Sequence, residues 1–395
     1  RLYGDAGAYA SLSDKVMTRA TTHAVGPYEV PHVKVDCFAM YTNNTPAGAF
    51  RGFGVTQSCF AVESNMDVLA EQLQIDPVEL RRINALDVGR TTSTGQVLQE
   101  SAGLRECIDK VEADMRGEDF QWAWDEGRSR FAWGIAVGYK NTGLGGGAPD
   151  KAGADVEVWV DEDGVRAEVR TSSAEMGQGL PGVLAACVAE ELDIPIGNVS
   201  VLLGDTDYCP DGGPTTASRQ SFVSGNAARL AAKKVAQELP RARPGDNFTS
   251  SLVYEAPETQ PLGTDGDMHF AFSFGMQAAL VEIDMDTGEV RVLKVIAAHD
   301  VGRVLNPLTL QGQIEGGIIM CIGYTLTEHY IQEEGKPWTT VLARYKMPGI
   351  RHTPEIRSHI VEHAASTGPY GAKGIGELSS IPTSPAVTNA IYNAT

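Results

Sequence analysis

Apolar residues recur at helical spacing over 57–74, where Ala61, Val62, Met66, Leu69, Ala70 and Leu73 share one face, so an amphipathic helix is expected there. Asp76-Pro77 supplies a cap and a tolerated first-position proline for a second helix through about residue 85. A third is expected over 104–115. From Phe131 the period changes from helical to extended: 133–139, 154–160 and 165–171 read as strands. The last two are joined by Asp161-Glu162-Asp163-Gly164, whose Asp-Gly signals a hairpin. Further on, a helix with Leu184, Val188 and Leu192 on its apolar face follows Glu175-Met176-Gly177-Gln178-Gly179. A helix-to-strand return is expected over 194–203, a helix over 219–239, strands over 271–284 and 289–297, and a helix from about Leu310. Near the N-terminus, 28–35 and 37–41 read as short strands. The stretches 11–27, 240–267 and 379–385 show no regular pattern, and 117–131 is a plausible boundary. No fixed-period repeat or low-complexity tract occurs.

Several glycine-rich segments interrupt this pattern. The most concentrated is Gly371-Ala372-Lys373-Gly374-Ile375-Gly376-Glu377-Leu378, where backbone free to adopt positive φ can approach a ligand closely and present one carboxylate. Taken alone it also reads as a surface turn with a solvated Glu377. Three more, at 176–179, 212–218 and 312–317, read as openings of helices, whose unpaired first amides bind anions. Together they suggest a cradle for a phosphorylated, hydrogen-bond-rich cofactor, although each alone serves as a tight turn. Neither GxGxxG after a strand nor GxxxxGK[ST] is present, which argues against Rossmann and P-loop nucleotide sites. The glycine-rich insert 143–153 is expected to be flexible or to line a ligand.

The 395 residues carry a formal net charge of −19, which disfavours nucleic acid and anionic membrane surfaces as partners. No apolar run approaches the ~18 residues of a membrane span. Six scattered cysteines (Cys37, Cys59, Cys107, Cys187, Cys209, Cys321) form no CxxC pair and have no histidine at ligand spacing. They are expected to be buried thiols in a reducing, cytoplasmic compartment. The opening Gly4-Asp5-Ala6-Gly7 reads as the middle of a domain and suggests a piece of a larger chain.

In order, Gly-Ala-Phe-Arg-Gly-Phe-Gly (48–54), Glu-Met-Gly-Gln-Gly (175–179), Gly-Pro-Thr-Thr-Ala-Ser (213–218), Gly-Gln-Ile-Glu-Gly-Gly (312–317) and Gly-Ile-Gly-Glu-Leu (374–378) resemble the molybdenum-binding part of the xanthine oxidase family of molybdenum hydroxylases. The resemblance spans essentially the whole chain. It implies an α+β fold of two interleaved mixed α/β domains, 1–125 being the remainder of the first molybdopterin-binding domain and 126–395 the second. It also implies a molybdopterin cofactor, expected in its cytosine dinucleotide form, whose molybdenum takes no side-chain ligand.

By the same resemblance, Glu377 is the general base, taking a proton from the metal-bound hydroxyl as its oxygen attacks an electrophilic carbon. A carboxylate suits that task if burial lifts its pKa toward working pH. Gln178 matches the glutamine beside the apical metal ligand. Gly177, Gly179, Thr216, Ala217, Ser218, Gln313 and Gly376 match contacts to the cofactor. Arg51 and Gly52 match the loop near the metal's oxo ligand, with Phe53 as a ring stacked on substrate. Arg19 matches an arginine that binds a purine carbonyl.

The family's first Gly-Gly-x-Phe-Gly motif would lie N-terminal to Arg1, and Tyr139 is the candidate for a second stacking aromatic. The expected partners are the remaining N-terminal part of the molybdenum subunit, an iron–sulfur subunit carrying 2Fe-2S and a FAD subunit. The expected activity is hydroxylation of xanthine, hypoxanthine or a related N-heterocycle with oxygen from water. Aldehyde oxidation at the same centre is the enzymatic alternative, and a non-catalytic cofactor-holding subunit is the rival of another class.

Overall fold

The structure is a computed structural model that describes residues 1–9 and 11–395. Leu2–Gly7 (β1) and Cys37–Tyr41 (β2) form a parallel pair, with helix α1 (Ser13–Thr22) between them in sequence. The strand expected over 28–35 does not form: Tyr28 makes one isolated bridge to Ala85, and Pro31 removes a donor that a ladder would need. Helix α1 arises where no element is expected. Its sequence is polar, with only Val16, Ala20 and Thr22 buried, so tertiary packing rather than periodicity specifies it.

Helices α2 (Val55–Leu73), α3 (Pro77–Asn84) and α4 (Leu104–Met115) follow where the periodicity places them. Asp76 caps α3 by accepting from the Val78 and Glu79 amides.

Strands β3 (Ala123–Glu126), β4 (Ser129–Thr142), β5 (Lys151–Asp161), β6 (Gly164–Thr171), β7 (Val199–Leu203), β8 (Asn247–Glu255), β9 (Ala271–Asp284) and β10 (Val290–Asp300) come next. Interspersed with them are α5 (Leu180–Leu192) and α6 (Gly225–Ala236). Beyond them are α7 (Pro307–Ile322), the short hairpin β11 (Gln332–Glu333) and β12 (Lys336–Pro337), the single turn α8 (Leu342–Tyr345), β13 (Glu355–Val361) and α9 (Thr383–Ala394). The irregular 240–267 stretch thus contains β8, a strand that alternates between exposed and half-buried positions and pairs along β5.

Besides the β1–β2 pair and the β11–β12 hairpin, two larger sheets form, the first ordered β13-β10-β9-β4-β3 and the second β7-β6-β5-β8. In the second, Val156, Val158 and Val169 pack against Leu184 and Val188 of α5 and Ala228 and Ala231 of α6. In the first, β4 and β9 pair antiparallel from Ser129–Asp284 to Thr142–Ala271. Alternation separates the two faces of β4. Ile135, Val137 and Tyr139 join Ile108 and Val111 of α4 in one core, while Ala132 and Ala136 join Ile318 of α7 and Ala386 and Ala390 of α9 in another. Tyr139 stacks on Phe272 and Phe274 at 5.5 and 6.0 Å and is 2% exposed. It is therefore a core aromatic.

The even-numbered face of β4 is made of small residues for a visible reason. A Cβ on Gly134 would lie 2.4 Å from the Ala386 carbonyl, and one on Gly138 would lie 3.0 Å from Ile381. Helix α9 and the segment before it lie directly on this stripe. Pro382 and Pro385, expected to stop regular structure, stand immediately before and in the first turn of α9, where missing N–H groups cost nothing.

Beyond its short pairing with β3, the far edge of β4 is satisfied by side chains. Glu63 of α2 accepts from the Val137 amide at 2.9 Å, and Asn389 donates to the Ile135 carbonyl at 3.0 Å. Arg81 of α3, fully buried, pairs with Glu63 at 2.8 Å and Asp67 at 2.7 Å. Replacing Arg81 by Met strands two buried carboxylates, so R81M is expected to lose about 3–5 kcal/mol in urea unfolding; a loss below ~1 kcal/mol would show that the cluster is solvated.

Candidate active site

The even face of β4 leads to Glu377. Along it the C-terminal segment is pinned in sequence: the Gly374 amide donates to Thr142 Oγ1 at 3.1 Å, Lys140 Nζ lies 3.2 Å from Glu377 Oε2, and Ile381 seats on Gly138. Gly374 is required here, since a Cβ on it would come within 1.7 Å of the Ser218 carbonyl. Glu377 is 9% exposed, so the solvated surface turn is excluded.

Ser218 binds Glu377 twice, accepting from its amide at 3.0 Å and donating to Oε2 at 3.2 Å. Ala217 and Ser218 hold φ of 50° and 52°, left-handed conformations costing of order 1–3 kcal/mol each in non-glycine residues. Two neighbours hold them in place. The Gly143 amide donates to the Ala217 carbonyl at 2.8 Å. Arg219, fully buried against Asp150 at 2.7 Å, donates to the carbonyls of Gly212, Pro214 and Lys151.

The 48–54 loop closes on the same segment. Arg51 donates to the Gly376 carbonyl, to Gln313 at its carbonyl (3.2 Å) and its Oε1 (3.0 Å), and to Ser379 Oγ (3.0 Å). One guanidinium thus ties the loop, α7 and the Glu377 turn together. Gly52 follows with φ 100°, and Phe53, half-buried, has φ 49°. A Cβ on Gly54 would lie 2.0 Å from the Val16 carbonyl, so this loop packs against α1, the helix that carries Arg19.

Arg19 points into a basic cluster. Its guanidinium lies 3.3 Å from His269 Nε2 and donates to the Leu144 carbonyl, which makes the 143–153 insert a lining segment at its start. His23 and His269 are buried, with rings 6.0 Å apart, and His23 Nε2 and His269 Nδ1 have no hydrogen-bond partner among the described residues. Burial, reinforced by the charges of Arg19 and Lys140, holds both imidazoles well below their ordinary pKa, and therefore neutral. Burial also lowers the pKa of the Lys140 ammonium, while Glu377 opposes that shift. Lys140, His23 and His269 are absent from the sequence-derived set. Lys140 had one legible signal, a lone cation continuing the apolar 131–139 run on the even face of its strand.

Of the three glycine-rich segments, 176–179 opens α5 at Leu180 as expected, and the other two differ from expectation. Residues 312–317 lie inside α7, whose ladder already consumes their amides, so they form no helix-opening cradle. Residues 212–218 lead into a π-helical turn, Gln220–Ser224, before α6 begins. At 176–179 the amides do converge on an anion, the chain's own Glu175 carboxylate, which accepts from Gly177, Gly179 and Leu180 at 2.5, 3.1 and 2.7 Å. Gln178 folds back, Nε2 donating to the Ala174 carbonyl at 2.9 Å. Thr216 is exposed.

Gln178, Gln313, Asn306, Thr309 and Ile375 line one cleft of about 60 Å³. A Cβ on Gly177 or Gly312 would meet nothing within 4 Å. The cleft is lined with carboxamides, and the open space beside the Gly177 and Gly312 backbones leaves room for a polar organic cofactor, but the Gly177 and Gly179 amides would have to exchange Glu175 for it. All six cysteines are free; four are buried, and Cys37 and Cys209 are half-buried rather than buried.

A family model described as a molybdopterin cofactor-binding domain matches residues 106–245 and 242–354, and a second of the same description matches 1–85. The chain is 32% identical to a probable xanthine dehydrogenase subunit of Bacillus subtilis, over 100% of this chain and 56% of that protein. Among solved structures it superposes on the aldehyde oxidoreductase of Desulfovibrio desulfuricans with a TM-score of 0.86, at 28% identity over 99% of this chain and 44% of that one. It superposes on quinoline 2-oxidoreductase of Pseudomonas putida with a TM-score of 0.80, at 27% identity over 99% and 56%. The chain therefore spans about half the length of these relatives.

The neutral imidazoles give a pH prediction. Their folded pKa values lie below the unfolded value of about 6.5, so the stability they contribute is present above that pH and is lost as pH falls toward the folded values. Urea midpoints are expected to fall between pH 7 and 5, each histidine adding up to about 1.4 kcal/mol per pH unit, and less steeply in H269Q. An identical slope in H269Q would contradict the burial of a neutral His269.

Proposed function

Because the chain belongs to the molybdenum hydroxylase family, in its molybdopterin cofactor-binding part, we propose that it hydroxylates xanthine, hypoxanthine or a related N-heterocycle with oxygen from water. The observation that carries this reading is the two-sided state of Glu377. Oε2 is held by Lys140 and Ser218, while Oε1 has no hydrogen-bond partner among the described residues and is the oxygen available to take a proton. The molybdopterin, in its cytosine dinucleotide form, supplies the two-electron oxidation when bound. Gly177, Gln178, Gly179, Gln313, Thr216, Ala217, Ser218 and Gly376 would hold it, and Arg51 and Gly52 would fix the 48–54 loop toward it.

Glu377 then acts as general base, holding at Oε1 the proton released as the carbon–oxygen bond forms. Arg19, kept cationic by its guanidinium chemistry, binds an electronegative oxygen of the substrate, and Phe53 offers a ring face. Aldehyde oxidation would be favoured by a narrow apolar pocket. The surroundings of Arg19 are instead Lys140, His269 and a carbonyl, which favours a substrate rich in hydrogen-bonding atoms. Electrons leave through 2Fe-2S and FAD carriers on partner chains, and the N-terminal part of the molybdenum subunit completes the site.

Glu377→Gln tests the assignment. Turnover by the purified complex is expected to fall about 10²-fold or more with molybdenum and pterin content retained. Unchanged turnover would remove Glu377 from the chemistry.

A further inference from the structure

Four buried cations meet carboxylates among the described residues, and one is unlike the rest. Arg81 pairs with Glu63 and Asp67 and donates to the carbonyls of Pro77, Glu63 and Ile135. Arg219 pairs with Asp150 and binds three carbonyls. Lys373 pairs with Asp300 and donates to the Ser101 carbonyl, while Asp300 accepts from the amides of Gly103, Gly302 and His363. Each of these stitches backbone segments together, which repays part of the cost of burying charge.

Lys140 stitches nothing of the kind. Its side chain is 1% exposed, and its partners are Asn141 Oδ1 at 2.8 Å and Glu377 Oε2 at 3.2 Å. A buried ammonium is expensive, and this one is directed at the one carboxylate that the proposed chemistry uses.

We propose that Lys140 is a positioning residue for Glu377: it fixes Oε2 so that Oε1 is the proton-accepting oxygen. The inference rests on the functional reading above.

The charged and titratable groups around the pair come from every element packed against it. Arg19 on α1 and Arg51 on the 48–54 loop add positive charge toward Glu377. His23 after α1 and His269 before β9 stand neutral beside Lys140. Ser218 contributes a hydroxyl and Asn141 an amide. Lys140 is the cation in direct contact with the carboxylate, so its removal should be felt despite the arginines.

The test uses the purified complex. Lys140→Met removes the charge at similar length, Lys140→Gln removes it while keeping a donor for Asn141, and Lys140→Arg retains it. In K140M and K140Q kcat is expected to fall about 10-fold or more while KM changes little, as for a base no longer held in its productive geometry. In K140R kcat should stay within about 2-fold of wild type. A second readout is independent of turnover: the antisymmetric carboxylate infrared band, isolated as the wild-type minus E377Q difference in substrate-free complex at one pH, should shift in the charge-removed variants, because Oε2 has lost its ammonium partner. An unchanged kcat and an unshifted band in K140M and K140Q, with molybdenum retained, would overturn the inference and leave Lys140 a packing role. Full turnover in E377Q would instead overturn the functional reading on which it rests. Should neither charge-removed variant fold, a wild-type carboxylate band at the frequency of an ordinary exposed glutamate would overturn it, and a band displaced from that frequency in wild type and K140R alike would support it.

Discussion

The rest of the molecule depends on the match between one strand and one terminal segment. Along the even face of β4 the residues run Ala132, Gly134, Ala136, Gly138, Lys140, Thr142, small where a helix must lie close and polar where the chain turns. Against them, in reverse order, lie Ala390 and Ala386 of α9, then Ile381, Glu377 and Gly374. Close packing of backbone on backbone is rigid because any added methyl group must displace main chain. The loop that carries Glu377 is thereby held at its root by a helix and at its tip by hydrogen bonds to Thr142, Ser218 and Ser273. A single flexible turn becomes a fixed carboxylate.

Charge follows from that placement. Arg51 binds the Gly376 carbonyl, α7 and Ser379, Lys140 meets the carboxylate, and Arg19 sits one layer out with His269. The two imidazoles remain uncharged because burial and the neighbouring cations both oppose protonation. The site therefore holds fixed positive charge around one carboxylate and few groups able to compete for its proton. This arrangement suits proton abstraction from a substrate rich in electronegative atoms.

Much of this was legible where local pattern and tertiary role agree. Helix α4 occupies 104–115 as its periodicity indicates, and the hairpin at Asp161–Gly164 forms where Asp-Gly stands. Pattern failed where tertiary contacts decide. Helix α1 is short and polar on average, with only Val16, Ala20 and Thr22 buried, and the 48–54 loop packs on it. Helix α9 was hidden by prolines that a first turn tolerates. The glycines at 312–317 resemble a phosphate-binding turn in composition, but the helix starts five residues earlier at Pro307, which places them in its interior. The resemblance singled out Glu377 as a candidate, while the contacts of Lys140 with Glu377 and of His269 with Arg19 are visible only in three dimensions, since nothing local to a strand or a loop says which distant carboxylate or arginine it will face.

The most direct measurement of the central claim is a joint assay of metal, pterin and substrate on the native complex that contains this chain. Molybdenum and pterin should be present together, with turnover of xanthine or hypoxanthine by an artificial electron acceptor exceeding that of benzaldehyde. A complex without molybdenum or pterin would contradict the account, and turnover of benzaldehyde alone would contradict its assignment of substrate.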